Sequence, residues 1–147
     1  MKIYIDQSGK VEETNRDTIL AFSNHETYAI KIHRRTKRRM LEQFRLYGKP
    51  KLFTLRTFSA GVFLLLKSRK TNIDEIVIDT EYFGRNATIK SMLEAMFTKA
   101  KSSNNPNITF GHVGKKAKAH LLALSVFRGK QRANRVISYS ELKKWAL

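Results

Sequence analysis

The alternation of apolar and polar positions predicts three strands at the start of the chain. They cover residues 2–6, Thr18–Ser23 and Thr27–Ile32, and a short polar turn, Asn24-His25-Glu26, separates the last two. Alternating segments joined by so short a turn are typical of antiparallel hairpins. The sequence therefore predicts an antiparallel three-stranded beginning.

After residue 33 the apolar positions follow a helical period. Helices are predicted at 38–47, 55–67 and about 87–100, with strands at 75–81 and 108–113, then a helix at 115–127. Ser138 and Glu141 have the spacing of a capping box, so a last short helix is expected there. This order predicts an α/β fold with a mixed five-stranded sheet, three antiparallel strands then two parallel, flanked by helices. Residues 1–147 are expected to form a single domain, with an extra basic helical segment at about 33–50.

The charge balance points to a polyanionic partner. Lys and Arg number 29 against 12 Asp and Glu, which gives a formal net charge of +17 and a pI near 10.4. The basic residues are spread along the chain and are not collected in one amphipathic helix, so nucleic acid is favoured over a membrane surface. The alternative is that this charge serves solubility alone. The chain has no cysteine, which excludes disulfides and Cys-ligated zinc.

No segment predicts a membrane or secreted protein. The N-terminus lacks the layout of a signal peptide, and the most apolar run, 62–66, is far too short to span a bilayer. We therefore expect a cytoplasmic protein with no membrane partner.

Two aspartates, Asp6 and Asp79, end predicted strands. If these strands lie side by side at the centre of the sheet, both carboxylates face one crevice at its carboxyl edge. Close carboxylates repel each other unless a cation lies between them, and two hard metal ions held there can bind a phosphodiester and activate water. The alternative is that Asp6 begins a turn before Ser8-Gly9 and that Asp79 is an exposed strand end.

Three short motifs give the chain a resemblance to a known family. "IYIDQSG" (3–9), "IDTEYFG" (78–84) and "GHVG" (111–114) resemble, in this order, motifs of the ribonuclease H family, in particular its type-one enzymes. The motifs are short, but they are dispersed over most of the chain, about 2–128, and each lies on the appropriate predicted element. The resemblance implies a ribonuclease H-like fold.

The resemblance also implies roles for four residues. Asp6 and Asp79 match the metal-binding aspartates, and His112 matches a loop histidine that assists water activation or product departure. His120 falls near the last metal ligand, and a histidine there is similar to the Asp-Asp-His pattern of Argonaute (Piwi) domains and some junction resolvases. Imidazole binds Mn²⁺ better than Mg²⁺, so Mg²⁺ or Mn²⁺ is the expected cofactor, with Mn²⁺ preferred. Taken alone, His112 and His120 are also consistent with ordinary surface positions.

One departure from the family pattern concerns the catalytic glutamate that the type-one enzymes carry on the helix before the second aspartate strand. The corresponding stretch here, residues 56–58, has no acid. Glu42 and Glu81 are candidates to supply this ligand from elsewhere. If neither does, the site is inactive.

Two basic stretches are candidate nucleic-acid contacts. "HRRTKRR" (33–39) is predicted to track phosphates near the crevice, and "FRGKQRANR" (127–135) to hold the other side of a duplex. Phe110 and Trp145 are candidates for base stacking, or else core residues. The predicted nucleic-acid-binding residues are Arg34, Arg35, Lys37, Arg38, Arg39, Lys115, Lys116, Arg128, Lys130 and Arg132.

These features predict a metal-dependent endonuclease. The resemblance implies the RNA strand of RNA/DNA hybrids as substrate, while double-stranded RNA and branched DNA stay open. Two other classes also stay open: a catalytically inactive nucleic-acid-binding module on the same fold, and a basic ribosome-associated structural protein.

Overall fold

The computed structural model describes residues 1–68, 73–102, 105–114 and 117–147. The helices and strands in these ranges are β1 (Lys2–Ser8), β2 (Thr18–Ser23), β3 (Thr27–Ile32), α1 (Arg34–Leu46), a 3₁₀ turn (Pro50–Leu52), α2 (Phe53–Lys67), β4 (Glu75–Asp79), α3 (Asn86–Lys99), β5 (Asn107–Gly111), α4 (Lys118–Phe127), β6 (Arg135–Val136) and α5 (Tyr139–Ala146).

The described strands form one mixed sheet in the order β5-β4-β1-β2-β3-β6. β1, β2 and β3 are antiparallel, whereas β4 and β5 run parallel to β1. The α/β class and this arrangement of three antiparallel and two parallel strands are confirmed. The predicted count of five strands is wrong, because β6 pairs in parallel with β3. A strand of two residues is too short to produce an alternating pattern.

The two faces of the sheet carry cores of different size. Ile3 and Ile5 of β1 point into the larger core, which α1, α2, α3 and α5 complete. The neighbouring position Asp6 pairs with Ala21 of β2, and Ala21 packs in the smaller core beneath α4. Because side chains alternate along a strand, Asp6 lies on the α4 face.

α2 is the most deeply packed helix. All its residues from 57 to 66 are buried, as expected for a helix that is apolar on most faces and lies between a sheet and other helices. It contacts β2, β3, α3 and α5. α2 is therefore the central buried helix of the larger core.

α1 begins at Arg34, before the predicted start at Arg38. The His33 side chain accepts a hydrogen bond from the Arg35 backbone N–H at 3.2 Å and caps the helix. All of the basic run 33–39 after the capping residue His33 therefore belongs to a helix, which lies within the predicted basic helical segment at about 33–50.

Other boundaries also differ from the prediction. α2 begins at Phe53, ahead of the predicted Leu55. β4 ends at Asp79 and β5 at Gly111, where the pairing between these strands stops. The predicted α4 start, Lys115, lies outside the described residues, and the described helix begins at Lys118.

Lys37 requires a correction. The phase of α1 places it on the same buried face as Met40 and Phe44, and it has no exposed surface. Its ammonium donates to the carbonyl oxygens of Lys10 and Glu13 and to the Thr18 hydroxyl, at 2.7 to 3.2 Å. Burial lowers the pKa of Lys37 to about 8. The prediction that Lys37 contacts nucleic acid is therefore wrong, because its charge is used inside the protein.

None of the helices in the described ranges is long and apolar enough to cross a membrane.

We predict that Gly9→Ala destabilises the protein more than Gly84→Ala. Both glycines have positive φ, +79° and +74°, which costs an alanine about 1 kcal/mol or more. At Gly9 an added Cβ would also overlap the Asp17 carbonyl oxygen and lie 2.6 Å from Cε1 of Phe127, whereas at Gly84 it meets nothing within 4 Å. Denaturant unfolding should show an additional loss of about 1–3 kcal/mol at Gly9. Equal losses for the two variants would contradict this close packing after β1.

Candidate metal centre

The central pair of parallel strands brings two aspartates together. β1 pairs with β4 in register from Lys2 opposite Glu75 to Ile5 opposite Ile78. Asp6 and Asp79 are the next residues along each strand and lie on the same face. The predicted neighbouring placement of these two strands is confirmed.

A third carboxylate joins them. Asp6, Asp79 and Glu81 each offer an oxygen, and these atoms all lie within 4.8 Å of one another. Asp6 is only 4% exposed, while Asp79 and Glu81 are half-buried. Glu81 was one of two sequence candidates for an additional ligand, and the structure brings it to the aspartates although β4 has already ended.

The segment after Asp79 is held by Tyr82. The Tyr82 hydroxyl donates to Oε1 of Gln7 at 3.3 Å, and its ring packs edge-on against Phe58 at 5.2 Å. Tyr82 therefore belongs to the core side, and Glu81 beside it reaches the carboxylates. This explains why two acids and an aromatic residue follow the apolar run of β4.

Asp6 is fixed by two hydrogen bonds. The Gln7 backbone N–H donates to Oδ1 at 2.9 Å, and Nδ1 of His120 lies 2.6 Å from Oδ2. Since a carboxylate only accepts, His120 carries its proton on Nδ1 in this contact. His120 thus contacts Asp6, but it lies outside the group of three carboxylates, and its role as a metal ligand stays a prediction.

The position of His120 follows from how α4 is attached to the sheet. The Ala119 backbone N–H donates to the Ser23 hydroxyl of β2 at 3.1 Å, which satisfies one of the free donors at the helix start. Ala119 and Ala123 are fully buried against the sheet. These contacts fix the rotation of the helix and place His120 over Asp6.

Asp79 is held by the loop that follows β5. The Val113 backbone N–H donates to Oδ1 of Asp79 at 2.9 Å. The neighbouring His112 is exposed in this loop. The "GHVG" segment therefore borders the carboxylates, with the His112 side chain accessible from solvent.

The crowding of these acids changes their protonation. Burial and the neighbouring Asp79 and Asp6 carboxylates raise the pKa of Glu81 to about 8, which Lys10 offsets in part. Burial also raises the pKa of Asp6, opposed by the hydrogen bonds from Gln7 and His120. With no cation present, the site thus favours a proton on Glu81 at neutral pH.

The donor set fits a hard divalent cation. Mg²⁺ and Ca²⁺ take oxygen ligands, and carboxylates are the usual protein donors. Oxygens on opposite sides of a Mg²⁺ ion are about 4.2 Å apart, so the spacing of up to 4.8 Å needs only small side-chain movements. A divalent cation would also replace the proton that Glu81 otherwise holds.

Glu42, the other candidate ligand, lies elsewhere. It is exposed on α1 and is not part of the described carboxylate group. The described helix that precedes β4, α2, carries no acid, so Glu81 is the acid that accompanies the two aspartates.

The exposed basic residues of α1 start at the carboxyl edge of the sheet. β3 runs in the same direction as β1, so Arg34 and Arg35, which follow it, lie at the edge where Asp6 lies. Arg34 is 3.8 Å from Asp17, and Arg38 donates to the Thr14 carbonyl oxygen.

Arg39 is directed elsewhere, since its guanidinium stacks on the Tyr139 ring at 3.8 Å. Lys115 and Lys116, also predicted contacts, lie outside the described residues.

A second basic segment follows α4. Arg128, Lys130 and Arg132 are exposed, and the latter two line a cavity of about 590 Å³ together with Lys31. Arg128 is eight residues beyond His120, about 12 Å along a helix. The basic segment therefore begins at the far end of α4 from His120, and residues 121–127 between them carry no Lys or Arg.

Phe83 is a surface residue that the sequence analysis missed. It is 87% exposed and lies two residues after Glu81. The signal available in the sequence was the glycine that follows it, Gly84, which has a positive φ and indicates a turn.

The two aromatic residues predicted to stack on bases are less exposed. Trp145 is 6% exposed and packs against Phe63. Phe110 is half-buried against the larger core. Trp145 is therefore a core residue and does not stack on bases.

Comparison with known proteins does not assign the chain to a family, since no family model, curated protein or solved structure matches it.

We predict that, in EDTA, the free energy of unfolding decreases as the pH rises from about 5 to 8. Glu81 has a folded pKa of about 8 against an ordinary value of 4.5. The folded state therefore holds more protons than the unfolded state in this window, and rising pH favours unfolding. Urea titrations at several pH values should show a smaller decrease for Glu81→Gln than for the wild type. Glu94→Gln, on the exposed face of α3, should behave as the wild type, and equal slopes for all three proteins would contradict the assignment.

Proposed function

We propose that the chain is a metal-dependent nuclease with a ribonuclease H-like fold. The observation that carries this proposal is the meeting of Asp6, Asp79 and Glu81 at the carboxyl ends of two adjacent parallel strands. The chain as a whole has a net charge of +17 and attracts polyanions. The grouped carboxylates repel a phosphodiester at close range, so a cation is required between them if the phosphodiester is to approach.

The arrangement of the sheet supports the ribonuclease H-like part of the proposal. The order β3-β2-β1-β4-β5, with three antiparallel strands followed by two parallel ones, agrees with the arrangement expected from the three motifs. Each motif also contributes to the neighbourhood of the carboxylates: the first supplies Asp6, the second Asp79 and Glu81, and the third the loop that binds Asp79.

The carboxylates would hold one or two Mg²⁺ or Mn²⁺ ions, which bind the scissile phosphate and activate water for in-line attack. The Val113 N–H fixes the orientation of Asp79, and His120 that of Asp6, as outer partners of metal ligands commonly do. Glu81 would replace the catalytic glutamate that the type-one enzymes carry on the helix before the second aspartate strand.

The basic surface supports a nucleic-acid substrate. Arg34 and Arg35 follow β3 at the same edge of the sheet as Asp6, and Arg128 and Lys130 follow α4. These contacts address the phosphate backbone and do not read sequence. We propose the RNA strand of an RNA/DNA hybrid as substrate, on the strength of the motif resemblance to type-one ribonuclease H.

We predict that Asp6→Asn abolishes metal-dependent cleavage. Loss of outer-shell partners of a metal costs about 10–100-fold, so loss of the buried ligand should cost at least about a hundredfold. The measurement is cleavage of end-labelled RNA/DNA hybrid, double-stranded RNA, duplex DNA and a four-way DNA junction with Mg²⁺, Mn²⁺ or EDTA. Glu94→Gln serves as the matched control, since it removes an exposed acid far from the site.

The outcomes separate the functional classes. Cleavage of hybrid alone that is lost in Asp6→Asn supports the proposal in full, and cleavage of another substrate corrects the substrate while keeping the nuclease. Tight binding without cleavage in any metal would replace the proposal with a binding module. No Mn²⁺ binding dependent on Asp6 and Asp79 would favour a structural protein.

We also predict that Phe83→Ala raises KM and leaves kcat nearly unchanged. An exposed ring beside the site can stack on a base, which is worth roughly 1–3 kcal/mol and corresponds to about a 5–150-fold loss of affinity. Phe83→Tyr should retain most of the affinity because it keeps the ring. Steady-state kinetics on the cleaved substrate measure this, and an unchanged KM in Phe83→Ala would exclude a contact with substrate.

A further inference from the structure

A groove lies on the face of the sheet opposite to the carboxylates. It has a volume of about 870 Å³ and is formed by α1, the 3₁₀ turn, α2, α3 and α5. These elements pack on the larger core, whereas Asp6 and His120 lie on the α4 face. Its volume is within the range of sites that bind ligands or peptide side chains, about 300–1,000 Å³.

The floor and one wall of the groove are apolar. Phe44 forms part of the buried floor, and Met92 of α3 is half-buried. Leu52 and Tyr47 line the same groove although they are 41% and 63% exposed. Leu46, next to Tyr47, is 78% exposed. Exposed apolar side chains gathered around one concave surface mark an interaction site.

The rim of the groove is positively charged. Lys49, Arg56, Lys143 and Lys144 line it, and no Asp or Glu does so among the described residues. Arg56 is fixed in place because its Nε donates to the Ala146 carbonyl oxygen at 2.8 Å. A cationic rim without acids needs an anionic partner to offset its repulsion.

The positive surface continues past the groove. The ammonium groups of Lys67, Lys99 and Lys144 all lie within 5.5 Å of the centroid of the Trp145 ring. The buried indole attracts each cation, but the three like charges repel one another. An acidic chain that crosses this surface would relieve the repulsion.

We infer that this groove binds an acidic peptide segment of a partner protein, one that carries Leu or Phe side chains between Asp and Glu residues. The floor and the rim of the groove together select for this chemistry. The apolar floor accepts aliphatic or aromatic side chains, and the positively charged rim pairs with carboxylates. A nucleic acid would satisfy the rim alone. Tyr47 is the one exposed ring among the lining residues, since Phe44 is 3% exposed, so the groove offers at most one site for base stacking. The other apolar lining residues are Leu52, Met92, Ala146 and Leu147, which fit aliphatic or aromatic side chains better than bases.

This inference does not depend on the proposed nuclease activity. The groove and the carboxylates lie on opposite faces of the sheet, so peptide and nucleic acid can be bound together. The partner would thereby bring the protein to a larger assembly without covering the carboxylates.

The test is fluorescence anisotropy with the full chain and a short fluorescein-labelled peptide in which Leu and Phe alternate with Glu and Asp. Two control peptides carry Gln and Asn in place of the acids, or Ser in place of the apolar residues. The wild type should bind the first peptide and lose at least about tenfold in affinity for each control.

Charge-reversal variants locate the binding surface. Lys143→Glu combined with Lys144→Glu should weaken peptide binding at least about tenfold and leave binding of RNA/DNA hybrid unchanged, because both side chains are exposed and lie away from the α4 face. The matched control, Arg128→Glu combined with Lys130→Glu, changes the net charge equally and should leave peptide binding intact. Circular dichroism verifies that both variants are folded.

Three results would overturn the inference. They are no binding of the acidic peptide, equal binding of all three peptides, and equal weakening by the two double variants. Binding of a single-stranded oligonucleotide that is lost only in the Lys143/Lys144 variant, without peptide binding, would assign the groove to nucleic acid instead.

Discussion

The parallel pairing of β1 with β4 is the constraint on which the candidate site depends. Because the two strands run in the same direction, with Ile5 opposite Ile78, the next residue of each strand, Asp6 and Asp79, reaches the same edge of the sheet, and the two carboxylates meet there. The flanking strands then supply the supporting contacts. Ser23 of β2 anchors α4, which brings His120 to Asp6, and the loop after β5 binds Asp79. A change in this one pairing would separate all these groups.

The electrostatics of the molecule have two opposed parts. The chain is strongly basic, with a net charge of +17, yet its central edge collects three carboxylates within 4.8 Å. The basic surface attracts polyanions from a distance, whereas the carboxylates repel a phosphate at close range. A divalent cation bound there would reconcile the two, and in its absence the raised pKa of Glu81 favours a proton on that side chain.

The sheet also separates two kinds of surface. On the α4 face the core is small and built on Ala21, Ala29 and Ala123. Because these side chains are small, α4 lies close to the strands, and His120 contacts Asp6 of β1. On the opposite face, four helices cover the sheet and leave a groove between them. The chemistry proposed for the first face and the binding proposed for the second therefore make no demand on the same residues.

The sequence by itself determined the three opening strands, the helical period of α2 and α3, and the aspartates of β1 and β4, because these features follow from local patterning, although β1 continues two residues beyond Asp6 to Ser8. It also kept Glu81 as a candidate ligand. Only the tertiary structure decided between Glu81 and Glu42, since β4 ends before Glu81 and the later residues are directed by Tyr82 packing on Phe58. The burial of Lys37 and of Trp145 was likewise decided by packing partners distant in sequence, such as Thr18 and Phe63. Local pattern reports the period of an element, but the contacts that bury or expose a single side chain come from other parts of the chain.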